Sequence, residues 1–165
     1  MEESARAALS WVRSHTDRFG VPDDWFEKHD VHIHVPAGAV PKDGPSAGVT
    51  MATAIASLVR GEPVSEDVGM TGELTLTGQV LPIGGLREKS LAAQRAGLKR
   101  VVFPRENEPD LDDLPPETRG ALEFIAADTI EDVFAAAFDG SRRARPRRPA
   151  GVERAAARAS AGRTS

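Results

Sequence analysis

Apolar residues return along this chain with two different periods, and the alternation between them predicts the elements. Ala5, Ala8, Leu9 and Val12 recur at helical spacing, which predicts an amphipathic helix over 2–19 ended by Gly20 and Pro22. "VHIHV", 31–35, alternates strictly and predicts a strand with Val31, Ile33 and Val35 on one face and His32 and His34 on the other. A loop rich in Pro and Gly follows over 36–45. Met51, Ile55, Leu58 and Val59 then form the apolar stripe of a helix over about 46–60, stopped by Gly61 and Pro63. The Thr/Leu alternation of 70–85 predicts a hairpin or bent strand pair turning near Gly78. A helix over 86–97 closes at Gly97, "RVVFP" (100–104) reads as a buried strand, and 105–116 reads as an acidic loop. "LEFIA" (122–126) is a further strand. The last element is a helix over 128–138, with Asp128 and Glu131 in capping-box spacing. Strand–helix–strand order after residue 80 predicts an α/β (α+β) domain, a compact mixed β-sheet with flanking helices.

Composition narrows the chemistry. The 165 residues suffice for one ordinary domain, and an aromatic content of 5% predicts an aliphatic, alanine-rich core. There is no cysteine, so disulfides, thiolate catalysis and Cys-based zinc sites are excluded. No apolar run approaches the roughly 18 residues of a membrane span, and the acidic start "MEESARAALSWVRS" does not read as a signal peptide. A cytoplasmic location and no membrane partner are the expectation. The net charge of −4 is uneven: eight Arg and one Glu put +7 into 141–165 and leave −11 in the remainder. This Arg-, Pro- and Ala-rich stretch offers little to bury and reads as a disordered, solvated tail. Nucleic acid is not expected as its partner.

The candidate chemistry lies in "PKDGPSAGVTMATAIASLV", 41–59. Gly44 permits a tight turn and Pro45 fixes φ ahead of Ser46, at the mouth of the apolar helix. The first amides of a helix have no acceptor within it and can hold a developing oxyanion, which directs attention to the N–H groups around Ser46 and Ala47. Gly48 reads as a gap through which a substrate backbone approaches. An ordinary serine cap and an anion site at the helix start remain alternatives on this spacing. A serine hydroxyl needs a base, and a lysine kept neutral by burial can supply it. Lys89, one of four lysines, lies just after "LPIGGL", with Leu86 and Ala93 as apolar neighbours on its helix. The alternative is a lysine that reaches solvent.

Three segments, "PKDGPSAGVTMATAIASLV", "MTGELTLTGQVLPIGGLREKSLAAQRAG" and "VVFPRENEPDL", closely resemble the proteolytic domain of the Lon family of ATP-dependent serine proteases, in the family's order and spacing from about 2 to 139. The resemblance implies a domain over 1–140, its N-terminal strands missing, and a tail over 141–165. It implies a serine endopeptidase working in protein quality control and catabolism, with Ser46 as nucleophile and Lys89 as general base. Arg87 stands where the family often has lysine. Thr71 matches a threonine that hydrogen-bonds the catalytic lysine, and Asp43 matches an acid that pairs with or blocks the dyad. His32 and His34 are implied as supporting residues near the active-site sheet, not metal ligands. The resemblance also implies polypeptide substrates and a homo-oligomeric, hexameric ring. ATP and Mg would belong to an upstream ATPase module, because no G-x-x-x-x-G-K-[ST] phosphate loop occurs in these residues. No cofactor is expected here. A catalytically silent remnant or interaction module is the alternative reading.

Overall fold

The computed structural model describes residues 1–35 and 44–138. Asp43 and the basic tail, for which disorder is expected, lie outside the described residues.

The first helix, α1 (Glu2–Ser14), ends sooner than its apolar period predicts. The hydroxyl of Ser14 donates to the Trp11 carbonyl at 3.0 Å and the His15 Nδ1 lies 2.8 Å from the same oxygen. These side chains take the acceptor that the next helical amide would use. The chain therefore tightens into a 3-10 turn, Thr16–Phe19. The His15 ring stacks on Trp11 at 4.3 Å, and Trp11 meets Phe19 and Phe134 edge to face. A short helix, α2 (Trp25–Lys28), precedes the segment 31–35.

That segment is not the expected strand: it has no regular secondary structure and pairs with no strand among the described residues. Its alternation is met differently. Ile33 packs on the core, and the segment runs along helix α3 (Gly48–Arg60), facing Met51, Ile55 and Leu58.

The strands divide between two small sheets. β1 (Val68–Met70), β4 (Arg100–Pro104) and β5 (Glu123–Ala127) form a parallel sheet in the order β1-β4-β5, with Gly69 opposite Val101 and Val102 opposite Ile125. The central strand is buried from Val101 to Pro104, as a strand covered on both faces must be. β2 (Glu73–Leu74) and β3 (Val80–Leu81) form the expected antiparallel hairpin. The amides of Val80 and Ile130 donate to the carbonyls of Asp128 and Gly78, both at 2.9 Å, so the hairpin is stitched to the end of β5.

Helix α4 (Leu86–Arg95) follows the hairpin. The acidic stretch expected as a loop is a 3-10 segment, Arg105–Asp113, containing Pro109. It leads to a helix that periodicity did not reveal, α5 (Pro116–Ala121), opened by proline in its first turn. Helix α6 (Ile130–Phe138) closes the described chain. Its cap sits one residue later than the expected Asp128/Glu131 pair. Asp132 accepts from the Thr129 amide and hydroxyl, each at 3.0 Å, and from the Asp128 amide at 3.1 Å. Glu131 instead pairs with Arg18.

The core lies between α1, α3 and α6 and one face of the sheets, with Ala8, Val12, Val49, Ala52, Val102, Ile130 and Ala137 almost fully enclosed. Here Gly48 acquires its reason. A Cβ on it would stand 2.7 Å from the Leu74 amide nitrogen and 3.0 Å from the Leu74 Cβ. Gly48 is therefore buried against the hairpin and is no gap for substrate. At the other end of the sheet, Arg100 donates to Asp67 at 2.8 Å, to Ser65 at 3.0 Å and to the Ala136 carbonyl at 3.2 Å, tying β4 to the segment before β1 and to α6.

Two predictions follow from this packing. Gly48→Ala forces α3 away from backbone, so it lowers stability by about 1–3 kcal/mol in denaturant unfolding. The Asp67 carboxyl is held below its usual range, first by the hydrogen bond from Arg100 and further by Ser65, against some desolvation. A depressed carboxylate favours the folded state above the ordinary carboxylate range, and that contribution disappears as pH falls through the native value. Asp67→Asn therefore flattens the acid side of a plot of melting temperature against pH.

Candidate active site

Ser46 sits in the turn just before α3, with Ala47 as the helix cap. Gly44, at φ 115°, supplies the left-handed turn that a side chain would resist. The turn is held by its own hydrogen bonding and by residues 71–72. Ser46's carbonyl accepts from the Gly72 amide at 3.0 Å and from the Thr71 hydroxyl at 3.4 Å. The Val49 amide donates to the Gly72 carbonyl at 3.2 Å, and the Gly48 amide donates to Pro45 at 3.1 Å. Thr71 is itself fixed, its amide donating to Val102 of the central strand at 3.0 Å. Among the described residues, the amides of Ser46 and Ala47 have no acceptor.

Lys89 lies in the first turn of α4, and its Nζ donates to the Gly84 carbonyl at 2.6 Å. The Thr71 hydroxyl bond thus runs to Ser46, while the amine is oriented by the loop before α4. Ser46, Ala47 and Thr50 from the start of α3, Thr71, and Lys89, Ala92, Ala93 and Ala96 from α4 and its end line one cleft of about 410 Å³. Met70, Leu98 and Val101 contribute to its apolar wall. Of the two neighbours expected for the amine, Ala93 faces the cleft, whereas Leu86 is buried in the interior. Loss of water at this wall pushes the Lys89 pKa down, partly countered by the nearby charge of Glu88.

His32 and His34 line a separate groove of about 310 Å³ on the neighbouring face of α3. It shares Thr50 with the cleft. Among the described residues, no group of three or more His, Asp or Glu is arranged to hold a metal ion. Thr50 is a cleft residue that sequence reasoning missed. Its hydroxyl donates to the Met70 carbonyl at 3.3 Å, tying α3 to β1. The available signal was its position one helical turn beyond Ser46.

The arrangement sets a serine hydroxyl, a lysine with a lowered proton affinity and helix-start amides around one apolar cleft. Comparison with known proteins covers the stretch of chain that carries this cleft. The model of the Lon protease (S16) C-terminal proteolytic domain matches residues 1–140. Lon protease 1 of Sorangium cellulosum is 58% identical over 135 residues, covering 82% of this chain and 17% of the relative. Lon protease 1 of Bacillus subtilis is 55% identical over 143 residues, 87% of this chain and 18% of the relative. Lon protease 2 of Bdellovibrio bacteriovorus is 51% identical over 150 residues, 91% of this chain and 19% of the relative. The chain thus spans about a fifth of the length of these relatives. With the family model matched over residues 1–140, which include every residue lining the cleft, the chain belongs to the family of Lon protease C-terminal proteolytic domains.

Proposed function

We propose that this domain is a serine endopeptidase that cleaves polypeptides with Ser46 as nucleophile and Lys89 as general base. The observation that carries the reading is the cleft itself: Ser46 and Lys89 both line it, with the amides at the start of α3 alongside. Neutral Lys89 takes the Ser46 hydroxyl proton as Oγ attacks the scissile carbonyl carbon. The tetrahedral oxyanion accepts hydrogen bonds from the amides around Ser46 and Ala47. The C–N bond then breaks as the Lys89 ammonium returns a proton to the leaving amine. Water gives a proton to Lys89 and attacks the ester, and Ser46 recovers its proton as the acid product leaves. Nucleophile and base are both side chains of this domain, so the reaction as written uses no cofactor. Thr71 supports it by holding the Ser46 carbonyl.

The wider setting is part of the same proposal. The relatives are about five times longer, which supports a domain working inside a larger Lon machine. There an ATPase module with ATP and Mg delivers unfolded polypeptide to a homo-oligomeric, hexameric chamber serving protein quality control in the cytoplasm.

Hydrolysis of an unfolded, casein-like substrate and of short fluorogenic peptides tests the activity. Ser46→Ala abolishes turnover and leaves the fold intact. Lys89→Arg is equally inactive, because guanidinium does not deprotonate in a protein. Turnover retained by either variant removes the dyad, and a well-folded wild type without turnover favours an interaction module.

The pH profile is the second test. A lysine whose native pKa is lowered carries a free amine at pH values where an ordinary lysine is still charged. The free amine is the working form, so kcat/KM rises with pH, on an acid limb below the ordinary lysine value of about 10.4.

A further inference from the structure

We infer that Asn107 is a positioning residue for Lys89, acting through the loop between β3 and α4; this rests on reading Lys89 as the base. Asn107 lies in the 3-10 segment after β4 and is only 6% exposed. Its side-chain amide closes a two-point clamp on one residue of that loop. Oδ1 accepts from the Ile83 amide at 2.9 Å, and Nδ2 donates to the Ile83 carbonyl at 2.8 Å. The second Nδ2 proton goes to Asp110 at 2.7 Å. Both donors and one acceptor site are engaged, which fixes the orientation of the amide.

The residue after Ile83 is Gly84, whose carbonyl receives the Lys89 amine at 2.6 Å. The clamp and the acceptor are therefore adjacent peptide units of one short loop. Gly84 carries no side chain to brace it, and a Cβ there would meet nothing within 4 Å. Its carbonyl direction is set by its neighbours in the chain, and Ile83 is the neighbour held by Asn107. A primary amine has one lone pair. Donation to Gly84 leaves that lone pair free to be aimed at another group, so the direction of the Gly84 carbonyl governs where the base points. A buried asparagine that satisfies both backbone groups of one loop residue does what a strand neighbour would do. Neither β3, which ends at Leu81, nor α4, which begins at Leu86, reaches Ile83.

The test reads Lys89 directly. The chain has four lysines, so their Cε–Hε correlations are few and the Lys89 signal is identified by its loss in Lys89→Arg. In Asn107→Ala the Lys89 signal is expected to move while the other three stay in place. In peptide hydrolysis kcat is expected to fall on the order of 10- to 100-fold with KM unchanged, the consequence of a misaimed base. If Asn107→Ala fails to fold, the double variant Asn107→Asp with Asp110→Asn takes its place. It keeps an acceptor for the Ile83 amide and an amide–carboxylate pair with position 110, and loses only the donor to the Ile83 carbonyl. A folded variant whose Lys89 signal is unmoved overturns the inference, as does unchanged kcat where the wild type is active. A wild type without turnover whose Lys89 signal still responds to Asn107 removes the proteolytic reading and leaves the positioning in force.

Discussion

The Ser46 turn depends on a backbone clasp. Gly72 gives its N–H to the Ser46 carbonyl and takes one from Val49, so the start of α3 and the junction of β1 with β2 are joined twice across one residue. A helix start leaves amides without partners, and a strand end leaves both kinds of group open. Here each satisfies part of the other's need. The clasp also requires close approach, which Gly48 permits by bringing only hydrogen to the face of Leu74. Without it, α3 would be an ordinary core helix, and the orientation of the residue before its cap would be unspecified.

Around this point the molecule separates two environments. One face of α3 is enclosed by α1 and α6 and carries the aliphatic core. The start of α3 opens onto a cleft also lined by α4 and its end, where Ala92, Ala93 and Ala96 keep the surface apolar and low. The same wall that excludes water from Lys89 therefore shapes the space beside Ser46. Desolvation of a cation is unfavourable by itself. The Gly84 carbonyl and the partial exposure of the lysine keep that cost moderate.

Much of this was legible in the residues. The periods of Met51–Ile55–Val59 and of "RVVFP" identify α3 and β4 because each lies against a continuous core, and burial imposes periodicity. Ser46 and Lys89 were singled out by turn chemistry, by the scarcity of lysine and by a family resemblance. What was not legible involves partners distant in sequence or side chains that compete with the backbone. "VHIHV" alternates like a strand, but Val31 and Ile33 are only half-buried and Val35 is exposed, and the surface beside them is a helix. The end of α1 was set by Ser14 and His15 reaching back to Trp11, which no apolar period records. The cap of α6 moved because the carboxylate that folds back belongs to Asp132 and not to Glu131. Gly48 reads as access, whereas its neighbour is Leu74, and Asn107 lies inside a stretch that reads as loop.

The two sides of the cleft also differ in compliance. Ser46 is bolted to the sheet through Thr71, whose amide is locked to Val102, so the serine can shift only if a buried strand shifts with it. Lys89 hangs from a short loop and a long flexible side chain. Relative movement across the cleft is thus expected on the lysine side, with the backbone at Ser46 as the steadier reference.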